Sequence, residues 1–394
     1  MYEEDVLEII EPDNEDMMMM ESDQESDQES KEFIENSKMK FIKHTNPIFC
    51  ISAHPILSNL CATGGGDDLG YIWNTTTNGN PLIKLEGHHD SISFIQFNFN
   101  GIYLATASVD GLIKIWYCKD HQTFHDWNFL LDLEGSEEVT WISWHPRGNV
   151  IVAGFADGLS TMWTIPTGDT IQVFSGFSAL PTCGQFTPDG KTLVIGSEDS
   201  RLIIFDPPTA QPIHKLNLRE GKYKFSDQNA GISSIAINQS STLCAIGGLD
   251  NGQVRIMNLR TGTILFALDG YHEPGVTVQT AFYEPINQIQ GLPLIISVGT
   301  DGKIFIFDGS SFKLRTLMQH SGPITTLVVH TKQARLTTGS VDKTLVTWDL
   351  RTGNELVGHF GHTDMIHHAT LSCDERHLIS GSEDGTACVF ELPQ

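Results

Sequence analysis

Eight times along the chain, an acidic or amide residue in a tight turn is followed six residues later by a large apolar residue closing a strand-like run. The pairs are Asp67/Trp73, Asp110/Trp116, Asp157/Trp163, Asp199/Phe205, Asn251/Met257, Asp301/Phe307, Asp342/Trp348 and Asp384/Phe390. Successive markers lie 43, 47, 42, 52, 50, 41 and 42 residues apart. This period constrains the fold more than any other property. A unit of ~40–45 residues holding four short strands cannot bury its apolar faces alone and must stack on its neighbours. The clearest unit is GHHDSISFIQFNFNGIYLATASVDGLIKIW, residues 87–116. It alternates apolar and polar residues, turns at Asn100-Gly101, alternates again, passes Ser-Val-Asp and a second tight turn, and ends on Trp116.

Each repeat supplies the outer strand of one sheet and then three strands of the next. The eighth copy ends at Phe390–Leu392 with no outer strand to follow, while Lys38–Thr45 is a spare strand ahead of the first copy. The two deficits cancel if residues 38–45 pair with the last three strands, which removes an edge open to aggregation. The expected fold is therefore all-β, a single eight-bladed propeller over residues 38–394. Residues 1–37 read as a disordered acidic tail of low complexity, with Met17–Met20 and SDQESDQES, carrying 15 acids and one base, Lys31.

The markers imply a buried polar network. A turn Asp accepts from a His near the start of the repeat, the His reaches a Ser or Thr, and the Trp indole lies beside it; such a set must be satisfied internally. His88, Ser108, Asp110 and Trp116 make one full set, and His320, Ser340, Asp342 and Trp348 another. This pattern resembles the WD40 repeat family. Trp348-Asp349 is a literal Trp-Asp, and Gly-His stands at Gly87-His88 and Gly361-His362. The fifth copy departs most, with Asn251 and Met257 at the marker positions, which puts its turn geometry in question.

Within that class, GSEEVTWISWHPRGNVIVAGFADGLSTMW followed by PTCGQFTPDGKTLVIGSEDSRLIIFD resembles the angio-associated migratory cell protein family. That family includes the fungal dedicated chaperone of a large-subunit ribosomal protein (the L-ten-e, or universal L-sixteen, type). The resemblance implies capture of the basic N-terminal segment of that protein and a role in 60S ribosome assembly. A scaffold in signalling or cell migration and a ubiquitin-ligase substrate receptor are the alternatives.

Charge independently favours a basic partner. The net charge is −25, of which −14 falls in residues 1–37 and −11 in the remainder. This disfavours direct contact with nucleic acid or an anionic membrane. Reading the residue before each marker, and those before each inner strand, places Asp90, Glu137, Glu138, Glu198, Asp250, Glu273, Asp364 and Glu383 on one face, the expected binding surface for a basic peptide. Residues 215–230 form a local basic patch with Lys215, Arg219, Lys222 and Lys224, a candidate holder for the acidic tail, and residues 283–293 lengthen the sixth copy. Trp141 and Trp144, three apart on a strand, should face opposite sides, with core packing expected for both.

No enzyme is expected. The Ser/His/Asp combinations recur at repeat offsets, as a structural role requires, and the carboxylate pairs fall in turns. His88-His89 and His367-His368 are neighbours on strands, poor joint metal ligands. Gly64-Gly65-Gly66 falls where a strand meets a turn rather than in a phosphate loop. No cofactor and no metal are expected. Seven dispersed cysteines without a CxxC pair suit reduced thiols in the cytoplasm or nucleus. The chain is expected to act as a monomer.

Overall fold

In each repeat the two-residue alternation becomes four antiparallel strands. The computed structural model describes residues 35–77, 79–227, 230–285 and 292–393; residues 1–34 of the tail expected over residues 1–37 lie outside them, as does most of the sixth-copy insertion. Every regular element among the described residues is a strand, and the strands, β1 to β32 in chain order, form eight four-stranded sheets. The inner strands are β2 (Ile48–Ala53), β6 (Ile92–Phe97), β10 (Val139–Trp144), β14 (Pro181–Phe186), β18 (Gly231–Ile237), β22 (Val278–Tyr283), β26 (Ile324–His330) and β30 (Ile366–Leu371). Each contacts the next, and β2 contacts β30, so the ring is closed.

Closure uses the orphan strand. β1 (Met39–Phe41) pairs antiparallel with β32 (Ala387–Glu391), matching Met39 to Val389, Lys40 to Cys388 and Phe41 to Ala387. The strand is shorter than the expected 38–45, because the chain leaves the sheet after Phe41 and carries His44 into the first turn network. Phe41 is fully buried, stacked on Trp73 at 4.7 Å and edge-on to Tyr71 at 5.5 Å. Residues ahead of 38 also bind the ring. Asn36 exchanges hydrogen bonds with Phe360, Nδ2 of Asn36 donates to the carbonyl of Gly358, and Glu35 pairs with Lys40 at 3.0 Å.

The core is divided among the gaps between sheets. Trp144 packs with Ile115, Leu133 and Trp163, while Trp141 packs with Val152, Phe186 and Ile195. The two indoles thus fill neighbouring gaps from opposite faces of β10, each less than a tenth exposed. Trp141 lies against Gly154 and Gly184, where an added Cβ would fall 2.0 and 2.2 Å from the ring, so only glycine leaves room for it. All seven cysteines are free thiols, five of them buried.

Antiparallel order fixes which loops share a rim. The turn between the second and third strands of each sheet and the connection from its outer strand to the next inner strand both lie at the end where the inner strand begins. In all eight sheets the residue after the marker is left-handed: Asp68, Gly111, Gly158, Ser200, Gly252, Gly302, Lys343 and Gly385 have φ between 62° and 90°. The fifth copy therefore makes the same turn as the others, with Asn251 Oδ1 accepting from the amide of Gln253 at 2.9 Å as an Asp would.

Candidate partner-binding rim

The rim is held from below by the marker network, built on a different hydroxyl from the one expected. In the second blade His88 Nδ1 lies 3.3 Å from Asp110, and its Nε2 lies 2.8 Å from Thr106 Oγ1, which also accepts from the Trp116 indole at 3.1 Å. Thr106 is four residues before the marker, mid-strand and beneath the ring. Ser108 sits at the strand end, where it donates to the carbonyl of Asp90 at 2.9 Å and accepts from the amide of Asp110. It ties the turn to the connecting loop instead of bridging His to Trp. The seventh blade repeats the substitution: Trp348 donates to Thr338 at 2.9 Å, and Ser340 accepts from the amide of Asp342. His320 Nδ1 lies 3.0 Å from Asp342 but off-axis for a hydrogen bond, and the hydroxyl of Ser321 takes the same carboxylate oxygen.

Three further blades carry the network. His44 bridges Asp67 (2.9 Å) and Thr63 (3.0 Å), His272 bridges Asp301 (3.0 Å) and Ser297 (3.0 Å), and His362 bridges Asp384 (3.0 Å) and Ser380 (2.8 Å). A spacing rule would have found two of them, since His44 and His362 precede their markers by 23 and 22 residues, as His88 does by 22. His272 escapes the rule because a longer connection separates it from Asp301. Burial works against the charge of Asp384, yet His362, the amide of Thr363 and the hydroxyl of Thr386 hold its carboxyl well below the ordinary range. Burial outweighs the carboxylates at His88 and His272 and lowers their imidazoles, favouring the neutral ring.

A second set of bonds stiffens the channel mouth. Thr140 donates to the carbonyl of Pro181 (2.6 Å), Thr182 to Ile232 (2.5 Å), Ser233 to Val278 (2.5 Å) and Thr325 to Ile366 (2.5 Å). Each hydroxyl sits where its strand bulges, one residue inside the rim, and reaches the next inner strand. Where blades eight and one meet, Phe49 lies edge-on to His367 at 5.2 Å instead. His368 turns the other way, half-buried, with its Nδ1 atom shut off from solvent and unpartnered.

All eight acids fall in rim loops or rim turns. Asp90, Glu137, Glu138, Glu198, Asp250 and Asp364 are exposed and take part in no ion pair among the described residues, although Thr277 donates to Asp250 at 2.8 Å. Glu273 is also exposed but pairs with Lys303 at 2.8 Å, and the half-exposed Glu383 is held by His367 at 2.6 Å. The acids are not an unbroken ring. Lys43 lies on the first blade's rim, Lys343 donates to the carbonyl of Thr363 on the seventh's, and the basic loop expected from residues 215–230 crosses the rim between blades four and five. Along the channel, inner strands β6, β10, β14 and β18 line a cavity of about 830 Å³ with Gln96, Ser143, Gln185, Ser233, Ser234 and Arg147 in its wall.

Comparison with known proteins places this geometry. Residues 79–117, 127–164 and 168–206 match the family described as WD domain, G-beta repeat, and residues 189–381 match the Nucleolar protein 10-like N-terminal domain. The human angio-associated migratory cell protein is 31% identical over 372 residues, covering 92% of this chain and 81% of its own. The Saccharomyces cerevisiae ribosome assembly protein SQT1 is 26% identical, covering 98% and 93%. Among solved structures, Chaetomium thermophilum Sqt1 bound to the N-terminus of ribosomal protein L10 superposes with a TM-score of 0.82 at 24% identity, over 91% of this chain and 100% of that one. That likeness bears on the fold. The identity and coverage shared with the human protein bear on descent: this chain belongs to the angio-associated migratory cell protein family of WD-repeat proteins.

Proposed function

We propose that this protein is a dedicated chaperone that captures the basic N-terminal segment of a large-subunit ribosomal protein on its acidic rim and supports 60S ribosome assembly. The observation that carries the reading is the placement on one rim of six exposed carboxylates that form no ion pair among the described residues. A one-sign surface above a rigid scaffold raises the encounter rate with a cationic segment and selects against anionic chains. The relatives support it. One is named a ribosome assembly protein, and a structural neighbour was crystallised with the N-terminus of ribosomal protein L10.

The same reading makes the chain a non-enzymatic, monomeric platform in the cytoplasm, with no direct nucleic-acid or membrane partner. His88 and Asp110, which a hydrolase would pair, are committed to a turn network with Thr106. Capture of a basic segment from a soluble partner needs no cofactor.

The test is purification of the tagged full chain from its own cells, followed by identification of what accompanies it. A large-subunit ribosomal protein and co-sedimentation with pre-60S particles are expected. Receptor tails or ubiquitin-ligase subunits in their place would overturn the proposal. In the same system, Glu138→Lys with Glu383→Lys should weaken binding of the basic partner at least tenfold, by reversing charge on blades three and eight.

A further inference from the structure

The loop that joins β17 (Gln211–Asn217) to β18 is a basic element on the acidic rim, and its chemistry is built in. We propose that it is a preformed clamp for an acidic stretch flanking the basic segment in the same bound chain, so that it fixes the direction in which the partner lies across the face. This rests on the basic-segment reading above and adds a polarity to it.

Arg219, Lys222 and Lys224 are exposed, and none takes part in an ion pair among the described residues; Lys222 lies over the ring of Tyr223 at 4.8 Å. The loop beneath them is anchored. Leu218, Phe225 and Ala230 are buried, and the amide of Phe225 donates to the carbonyl of Leu218 at 2.6 Å. Arg255, wholly buried, grips the loop from below: Nε donates to the carbonyl of Tyr223 at 2.7 Å and Nη2 to that of Lys224 at 2.9 Å. Its Nη1 donates to Val254 at 3.0 Å and to Asp269 at 2.5 Å, and the guanidinium covers Phe225 at 5.1 Å. Burying a guanidinium is costly unless its donors are matched. Here two of them are matched by the carbonyls of the loop that carries the cations, and the others by Val254, Asp269 and Gln253. Arg255 stands four residues after Asn251, in one of the blades whose marker turn has no His–Asp pair, and it ties the loop above that turn to the sheet.

Position decides what the clamp can take. One end of the loop joins the turn of Glu198, through Leu218 to Ser200 at 2.9 Å, and the other joins the turn of Asp250, through Ser226 to Gln253 at 2.8 Å. Arg219, Lys222 and Lys224 outweigh Glu220 and Asp227 on the same loop by one charge, so between Glu198 and Asp250 this is the stretch of the rim least suited to a uniformly basic chain. The flanking acids equally disfavour a long polyphosphate backbone. A short run of carboxylates beside a basic run matches both signs.

The experiment measures binding of the full chain to two synthetic peptides. One carries a lysine- and arginine-rich stretch followed by four glutamates, and the other has four glutamines in their place. Wild type should prefer the glutamate peptide by about tenfold at low salt, from three exposed charge pairs. Arg219→Glu with Lys222→Glu and Lys224→Glu, all exposed positions, should abolish that preference and pass it to a peptide ending in four lysines. A wild-type preference for the glutamine peptide, or a preference that survives in the triple variant, overturns the clamp while leaving the acidic-rim reading intact. Binding of a uridine oligonucleotide lost in the triple variant, with peptide preference unchanged, overturns it in favour of nucleic acid. Failure of every peptide to bind, unaltered by Glu138→Lys and Glu383→Lys, overturns the basic-segment reading and the clamp together.

Discussion

Ring closure depends on very little chain, and Phe41→Ala measures how much. β1 contributes three paired residues, and of these Phe41 alone is fully buried, wedged between Trp73 and Tyr71. Truncating a buried Phe to Ala costs about 3–5 kcal/mol, aromatic contacts included. Three ladder pairs, at roughly 1 kcal/mol per hydrogen bond, do not replace that. Local opening of β1 from β32 should therefore become at least about 100-fold more frequent, by the conversion of 1.4 kcal/mol to a factor of ten. The assay is native-state hydrogen exchange of the amides in residues 38–41 and 387–391, beside those of β14 on the far side of the ring. Exchange should accelerate at the closure and not at β14. Ile42→Ala is the control, since Ile42 is next in sequence but 68% exposed and should shift exchange by less than about 0.5 kcal/mol. A Phe41→Ala cost under about 1 kcal/mol, or an Ile42→Ala effect of equal size, would refute the idea that one side chain fastens the ring.

Thr106→Val should destabilise by about 2–4 kcal/mol, because it orphans the buried Trp116 indole and His88 Nε2 together, whereas Ser108→Ala should cost about 1 kcal/mol by denaturant titration; the reverse order would return Ser108 to the bridging role. Stability should fall as pH drops from 6.5 towards 4. Burial lowers His54, His330, His359 and His368 to about 4 from 6.5, so in that window the unfolded chain binds protons that the native chain does not. A second loss should begin below about pH 4, as Asp342 and Asp384, held under their ordinary value of 3.8, are forced to protonate; thermal melts flat from pH 7 to 4 would contradict the first of these. Raising salt from 50 to 300 mM should weaken binding of the basic partner by slowing its association, as followed by stopped flow, because the acids concerned are exposed.

The blade count, the closing strand and the single rim for the acids were legible in the sequence because each follows from a period. A rhythm of 41 to 52 residues needs no knowledge of contacts, and antiparallel order then assigns the loops to rims. The hydroxyl of the network was not legible from the family pattern of Ser before Asp. Which of two same-face hydroxyls, Thr106 or Ser108, lies under the imidazole depends on how far the ring reaches along the strand, and that distance is set by packing against Trp116. His44 was overlooked because it belongs to the closing segment, ahead of the first full repeat, although its spacing to Asp67 marks it. Arg255 was hidden because its role is carried by backbone carbonyls of a loop about thirty residues earlier, and carbonyls leave no mark on a sequence. The acids were located, but their pairing was not: Lys303 beside Glu273 and His367 beside Glu383 come from neighbouring strands and turns, not from local order.

The pairing of Met39 with Val389 also sets a clock. The two strands that close the ring are separated by about 350 residues of chain, among the longest separations the fold contains. At synthesis rates of about 5–20 residues per second, β1 waits roughly 20 to 70 s after its own emergence before β32 exists to receive it. By the end of that interval seven blades have their four strands, yet the gaps on either side of blade eight are unsealed and Phe41 has only the Trp73 and Tyr71 side of its pocket. A protein read as a guardian of another nascent chain thus passes its own synthesis with an apolar strand unhoused. The non-local pairing that removes its last edge is also the step that loop-closure entropy makes slow.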